Sequence, residues 1–175
     1  MLGLSILLAA SFVLTGCFEI QGVHVLHSYG ESDTGWYRIK MSRAMMDNGR
    51  YGKMLKDLRT WSRPATRSDD DNYYVEDVTG TASMEHFYQT YKCETSPQPG
   101  YADCHFAFSL PGDVGDLPGW SINWDVVLQP NMKVLTSNHQ RAAREDGRDH
   151  LIWCFDGNKT SSANVDFTVR VLKIR

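Results

Sequence analysis

The chain is 175 residues long and carries 18 Lys and Arg against 21 Asp and Glu, a formal charge of −3. That length suits one domain once a leader is removed, and the near-neutral balance excludes the strongly basic face that nucleic-acid binding needs. Five Trp, eight Tyr and seven Phe supply enough apolar bulk for a sizeable core.

The first element is a leader. Leu2 to Leu14 is apolar apart from Ser5 and Ser11 and carries no charge. It is shorter than the about 20 residues that span a bilayer, but it suits a signal-peptide h-region. Leu14-Thr15-Gly16-Cys17 closes it as a lipobox, the pattern cut before a lipid-modified cysteine in bacterial lipoproteins. Small Thr15 and Gly16 admit a peptidase, and the Cys17 thiol can take a thioether-linked diacylglycerol. No Lys or Arg precedes the apolar run, so either the true start lies upstream or the amino terminus alone supplies the positive charge. Residues 1–16 are therefore expected to be a signal peptide and 17–175 a single membrane-proximal domain. Two or three acyl chains such as palmitate, at about 0.8 kcal/mol per buried methylene, would anchor it stably.

Alternating patterns follow at once. Phe18 to His27 and Trp36 to Ser42 predict a strand pair joined by the turn-rich stretch from Tyr29 to Gly35. Many lipoproteins place a polar tether after the acylated cysteine; here the strand pattern starts at Phe18. If that strand joins a sheet, the domain sits against the bilayer. Tyr51, Met54, Leu55, Leu58 and Trp61 follow helical spacing, with Pro64 after them. Tyr73 to Val78 predicts a short strand. Met84, Phe87, Tyr88 and Tyr91 again follow helical spacing, with Thr81 or Ser83 as a cap. Phe106 to Leu110, Trp120 to Leu128, Leu151 to Phe155 and Val165 to Val171 alternate as half-buried strands, the second stopped by Pro130. The fold expected is α+β: a mainly antiparallel sheet of about six to eight strands with two helices, near 51–61 and 82–92. Residues 62–72, 111–119 and 138–149 are expected to be structureless.

Export pairs thiols. Cys93 and Cys104 bracket a loop with Pro97, Pro99 and Gly100, and are predicted to form a disulfide worth roughly 3 kcal/mol. Cys154, in an apolar stretch, is expected to be a buried free thiol, with a Cys104–Cys154 pairing as the rival.

Catalytic and metal motifs do not appear. His24 and His27 are three apart on a strand and point to opposite faces, and no HExxH or paired Cys-x-x-Cys is present. His139 and His150 flank a loop whose arginines Arg141, Arg144 and Arg148 are interspersed with Glu145, Asp146 and Asp149, the mark of a solvated loop. Asp69-Asp70-Asp71 lacks the glycine and distal glutamate of a calcium loop. There is no G-x-S-x-G and no glycine-rich phosphate loop, so no cofactor or metal is expected. Asn158-Lys159-Thr160 matches a glycosylation sequon of little meaning in a bacterial lipoprotein. The aromatic load reads first as core. Its functional reading is an apolar pocket between sheet and helices, lined by Tyr51, Met54, Leu58, Met84, Phe87 and Tyr88 facing Trp120 and Trp124.

In arrangement the chain resembles the LppM-like bacterial lipoproteins. A lipobox cysteine is followed directly by a strand, then by Gly35-Trp36-Tyr37-Arg38-Ile39-Lys40-Met41 and a helix near Met54 to Trp61. Towards the end come Met132-Lys133-Val134-Leu135-Thr136-Ser137-Asn138, a polar loop, Leu151-Ile152-Trp153-Cys154-Phe155 and Val165-Asp166-Phe167-Thr168-Val169. The resemblance implies an α+β domain outside the cytoplasm with an apolar pocket for lipid-like envelope molecules and no enzymatic activity. The chain departs from the group in the Cys93–Cys104 loop, and in ending at Arg175 without a C-terminal transmembrane helix, which would make the lipid its sole anchor.

The expected function is that of a lipid-anchored envelope lipoprotein, outside the cytoplasm, that is not an enzyme. Its partners would be the membrane, through acyl chains on Cys17, and an apolar or amphiphilic ligand. The alternative is a structural component docking on an envelope protein complex; an uncharacterised hydrolase is a third reading.

Overall fold

A computed structural model describes residues 18–31, 33–42, 65–69, 73–80, 88–110 and 119–173. Among them are eleven strands: β1 (Phe18–Val25), β2 (Thr34–Ser42), β3 (Ala65–Asp69), β4 (Tyr73–Gly80), β5 (Thr90–Thr95), β6 (Tyr101–Ser109), β7 (Trp120–Leu128), β8 (Lys133–Ser137), β9 (Arg141–Glu145), β10 (Arg148–Asp156) and β11 (Asn164–Leu172). They form a seven-stranded sheet in the order β3-β4-β2-β1-β7-β10-β9 and a four-stranded sheet in the order β5-β6-β11-β8. Among the described strands only β1 and β7 pair in parallel; the rest are antiparallel.

The α+β expectation is therefore corrected: the described residues are all-β, in two sheets instead of one. The predicted helix at 51–61 lies outside the described residues, as do residues 82–87 of the second. The end of that second helix is a strand. Tyr91 pairs with Phe106 and Cys93 with Cys104 along β5 and β6, so ladder pairing and a disulfide override a helical spacing carried by few residues. Two stretches expected to be structureless also hold strands, β3 and β9. The second was signalled by Asp146-Gly147. Both residues have positive φ, 50° and 74°, the two-residue hairpin turn that asparagine or aspartate followed by glycine favours.

The strands read as half-buried do bury the faces their alternation marks. Phe18, Ile20, Gly22 and His24 of β1 point inward, as do Trp120, Ile122, Trp124 and Val126 of β7. From the smaller sheet, Ala102, Cys104, Phe106 and Phe108 of β6 and Val165, Phe167, Val169 and Val171 of β11 meet them. The sheets touch through rings: Trp153 to Phe167 at 5.5 Å, Phe108 to Trp124 at 5.3 Å, and His24 to Phe106 at 5.7 Å between centroids. Each such side chain, fully buried, is worth about 1.5–3 kcal/mol.

The Ser137-Asn138 and Leu151-x-Trp153 stretches prove to be one device. Asn138 Oδ1 accepts the Trp153 indole N–H at 2.7 Å and the Asp166 N–H at 2.9 Å, and its Nδ2 donates to the Asn164 carbonyl at 3.0 Å. One carboxamide thus ties β10 of the larger sheet to β11 of the smaller.

Candidate functional site

The sequence-predicted site residues fare differently. Cys17 lies outside the described residues, and so do Tyr51, Met54, Leu58, Met84 and Phe87. Tyr88 and Trp124 come together, with ring centroids 6.3 Å apart. Trp120 is buried on the same face of β7, its ring against Gly157. Cys93 and Cys104 form a disulfide, which accords with an oxidising compartment and removes the rival Cys104–Cys154 pairing. Cys154 is free and exposed, which corrects the expectation of a buried thiol: it falls on the outward face of β10, between the inward-facing Trp153 and the partly buried Phe155.

Two arrangements have site-like chemistry. The first is a buried polar chain. Trp124 Nε1–H donates to the Tyr88 hydroxyl at 3.1 Å, and that hydroxyl meets His24 Nδ1 at 2.8 Å. His24 Nε2 meets Asp33 Oδ2 at 3.0 Å, and Asp33 Oδ1 accepts the His27 backbone N–H at 2.8 Å. The directions follow from the inventory of donors. The Asp33 carboxylate only accepts, so His24 Nε2–H donates to it; in the neutral ring Nδ1 is then the acceptor, and the Tyr88 O–H donates to it while its oxygen accepts from Trp124. Burial pushes the Tyr88 phenol well above its usual range; the Trp124 bond opposes this and the Asp33 charge adds to it. Nothing in the chain is idle, since no buried side-chain nitrogen or oxygen among the described residues lacks a partner.

An Asp–His–Tyr sequence of bonds invites a catalytic reading, which the geometry opposes. His24 is 0% exposed and both its ring nitrogens are engaged. A general base must reach a substrate proton, and no lone pair here faces solvent. The chain is a tie: Tyr88 packs against Phe106, Phe108 and Phe167 of the smaller sheet while its hydroxyl binds the larger one. The sequence did hold a signal for it. His24 continues the inward series Phe18, Ile20 and Gly22, and a polar side chain on a buried face demands a partner. A neighbouring pocket of ≈ 20 Å³, between Asp33, Tyr91 and Phe106, has room for about one water.

The second arrangement is a groove of ≈ 200 Å³ on the outer face of the seven-stranded sheet. Its floor is the paired backbone of Gly22 and Trp124. Apolar walls come from Val23, Trp36 and Ile152, polar ones from Gln21, Asn123 and Asp125. Sheet register sets these positions: Trp36 lies beside Val23, Val23 beside Asp125, and Asp125 beside Ile152. Trp36 is 39% exposed. His150 Nδ1 bonds both Asp125 oxygens, at 2.9 and 3.2 Å, and so fixes the carboxylate at the rim. Among the described residues, no group of three or more His, Cys, Asp and Glu is placed to hold a metal ion. No described helix is long and apolar enough to cross a membrane.

No family model matches this chain, and no curated protein matches it. Among solved structures it is similar to the folded domain of LppM from Mycobacterium tuberculosis, determined by NMR. The TM-score is 0.46 with 9% identity, over 92% of this chain and 92% of that one. That domain belongs to the group the sequence resembles in arrangement.

Proposed function

We propose that the chain is a lipid-anchored protein of the bacterial envelope, held by acyl chains on Cys17, whose β domain binds an amphiphilic ligand at the membrane surface without catalysing a reaction. The observation that carries this reading is that the groove lies on β1, the strand that begins at the residue after Cys17. Gln21, Gly22 and Val23 line the groove, about four to six residues beyond Cys17. At about 3.3 Å per residue that is ~13–20 Å of extended chain. Strand β1 pairs with β2 on one side and β7 on the other from Phe18 onward, so the spacing is built into the sheet. The mixed lining suits an amphiphile: apolar Val23, Trp36 and Ile152 beside polar Gln21, Asn123 and Asp125.

The test is intact-mass analysis of the full-length protein extracted from membranes. Acylation at Cys17 and a co-purifying amphiphile that is lost in Trp36→Ala are expected. An unmodified Cys17 on protein in the soluble fraction overturns the anchor, and a ligand indifferent to Trp36 overturns the groove. Docking on an envelope protein complex is the second reading. It draws on Tyr29 and Leu172, 43% and 37% exposed and joined by a backbone bond of 2.8 Å at the end of β1 far from Phe18.

A further inference from the structure

We infer that the groove on the outer face of the seven-stranded sheet is a carbohydrate subsite that takes one pyranose ring of a neutral envelope glycan. This rests on the reading that the groove binds a ligand, and it names the ligand's class. A pyranose is amphiphilic in cross-section, with C–H groups on its faces and hydroxyls around its rim. The groove has the complementary pattern.

Size is the first argument. At ≈ 200 Å³ the groove falls below the about 300–1,000 Å³ of drug-sized pockets. Its floor is sheet backbone, the paired Gly22 and Trp124. It has room for a ring.

Stacking is the second. Trp36 keeps 39% of its surface exposed at the groove, beside Val23 of the neighbouring strand β1. Its indole N–H has no hydrogen-bond partner among the described residues. An exposed indole offers a flat apolar face with a polar edge, which is what the C–H side of a sugar ring packs on.

Hydrogen bonding is the third. Asn123 is exposed, and its carboxamide makes no hydrogen bond among the described residues, so it offers both a donor and an acceptor. Asp125 is oriented by His150, and each of its oxygens keeps a further lone pair for a hydroxyl. Gln21 donates to Glu19 and keeps its own carbonyl oxygen as an acceptor. Vicinal hydroxyls need this mixture of acceptors and donors.

Charge is the fourth. The groove's lining includes no Lys or Arg, and Asp125 would repel a phosphate or carboxylate. The ligand is therefore neutral.

The test uses acylated full-length protein in nanodiscs containing a photoreactive phosphatidylglycerol, titrated with neutral hexasaccharides of glucose and of N-acetylglucosamine. Saturable binding is expected, weakened at least about tenfold in Trp36→Ala and in Asn123→Ala with unchanged thermal melts. Saccharide binding indifferent to both substitutions overturns the site. If no saccharide binds but the phospholipid crosslinks to the peptide carrying Gln21 and Val23, the carbohydrate assignment fails and the amphiphile reading stands. If neither occurs, both fail.

Discussion

Trp124 lies across Gly22. A Cβ on residue 22 would sit 2.2 Å from Trp124 Cζ3 and 2.7 Å from Cε3, closer than any side-chain contact allows. The parallel register of β1 and β7 sets the two residues side by side, and only a missing side chain lets the indole lie over the strand with its N–H aimed at Tyr88. Glycine is otherwise a poor strand residue, so its presence here is explained by what covers it.

Gly22→Ala must therefore push the indole off its seat. Overpacking costs about 1–3 kcal/mol, to which the strained Trp124–Tyr88 bond adds. At ~2–4 °C per kcal/mol for a chain of this size, a fall in Tm of roughly 4–10 °C is expected in a thermal melt, with a shift in tryptophan emission. An unchanged melt would mean that the indole does not lie there.

Tyr88→Phe keeps the ring and removes one oxygen. It removes the hydroxyl that the Trp124 N–H and His24 Nδ1 both bond, and the fully enclosed His24 Nδ1 loses its partner in the chain. Leaving buried polar groups unpaired costs about 1–3 kcal/mol. Urea unfolding at neutral pH should show this as a lower midpoint with an unaltered slope. A variant as stable as the parent would show that solvent reaches His24, and the case against its acting as a base would lapse.

These residues also mark how far the sequence was legible. Alternation is a local property, and it located β1, β2, β7, β10 and β11 and their inward faces. The Cys93–Cys104 pairing was readable because export and a turn-rich loop constrain it together. What escaped depended on neighbours distant in sequence. Tyr91 keeps helical spacing with Phe87 and Tyr88 and still belongs to a strand, because β6 offers a ladder and a disulfide that the spacing does not reveal. The outer-face groove joins β1, β2, β7 and β10, and no single segment carries its pattern. Of the pocket lining expected from the sequence, Tyr88 and Trp124 do meet, but by filling the space between the sheets.

The pair Asp103 and Arg170 gives a pH signature. Arg170 Nε and Nη2 donate to the two Asp103 oxygens at 2.7 and 2.9 Å, across the β6–β11 register. The Arg170 bonds hold the carboxyl below its usual value, with a smaller contribution from Ser96; burial acts the other way. A depressed folded-state pKa means that the unfolded chain takes up the proton first. The stabilisation is thus present above the ordinary aspartate range, near pH 4, and is lost as pH falls through the lower folded value. Asp103→Asn should cost roughly 1–2 kcal/mol between pH 6 and 8, and the gap to the parent should narrow steadily in melts as the pH falls below about 4. A gap that does not narrow at all on acidification would rule out ionisation as its source.

Cysteine chemistry separates the two faces of β10 and bears on the groove. Cys104 is 2% exposed and bonded to Cys93, whereas Cys154 faces outward beside Asn123. Native protein should therefore give one reactive thiol without denaturant, because acylation would consume the Cys17 sulfur. A second rapid thiol would report an unacylated chain. Capping Cys154 with a small maleimide should leave the melt unchanged. Reducing the disulfide, which spans 11 residues, should lower stability by about 3 kcal/mol. A bulky maleimide at Cys154 crowds the Asn123 rim and should weaken saccharide binding while the fold persists. Should Cys154 react only in denaturant, it would belong to the inner face of β10. That would shift the register of β10 against β7 and take Ile152 off the groove's wall.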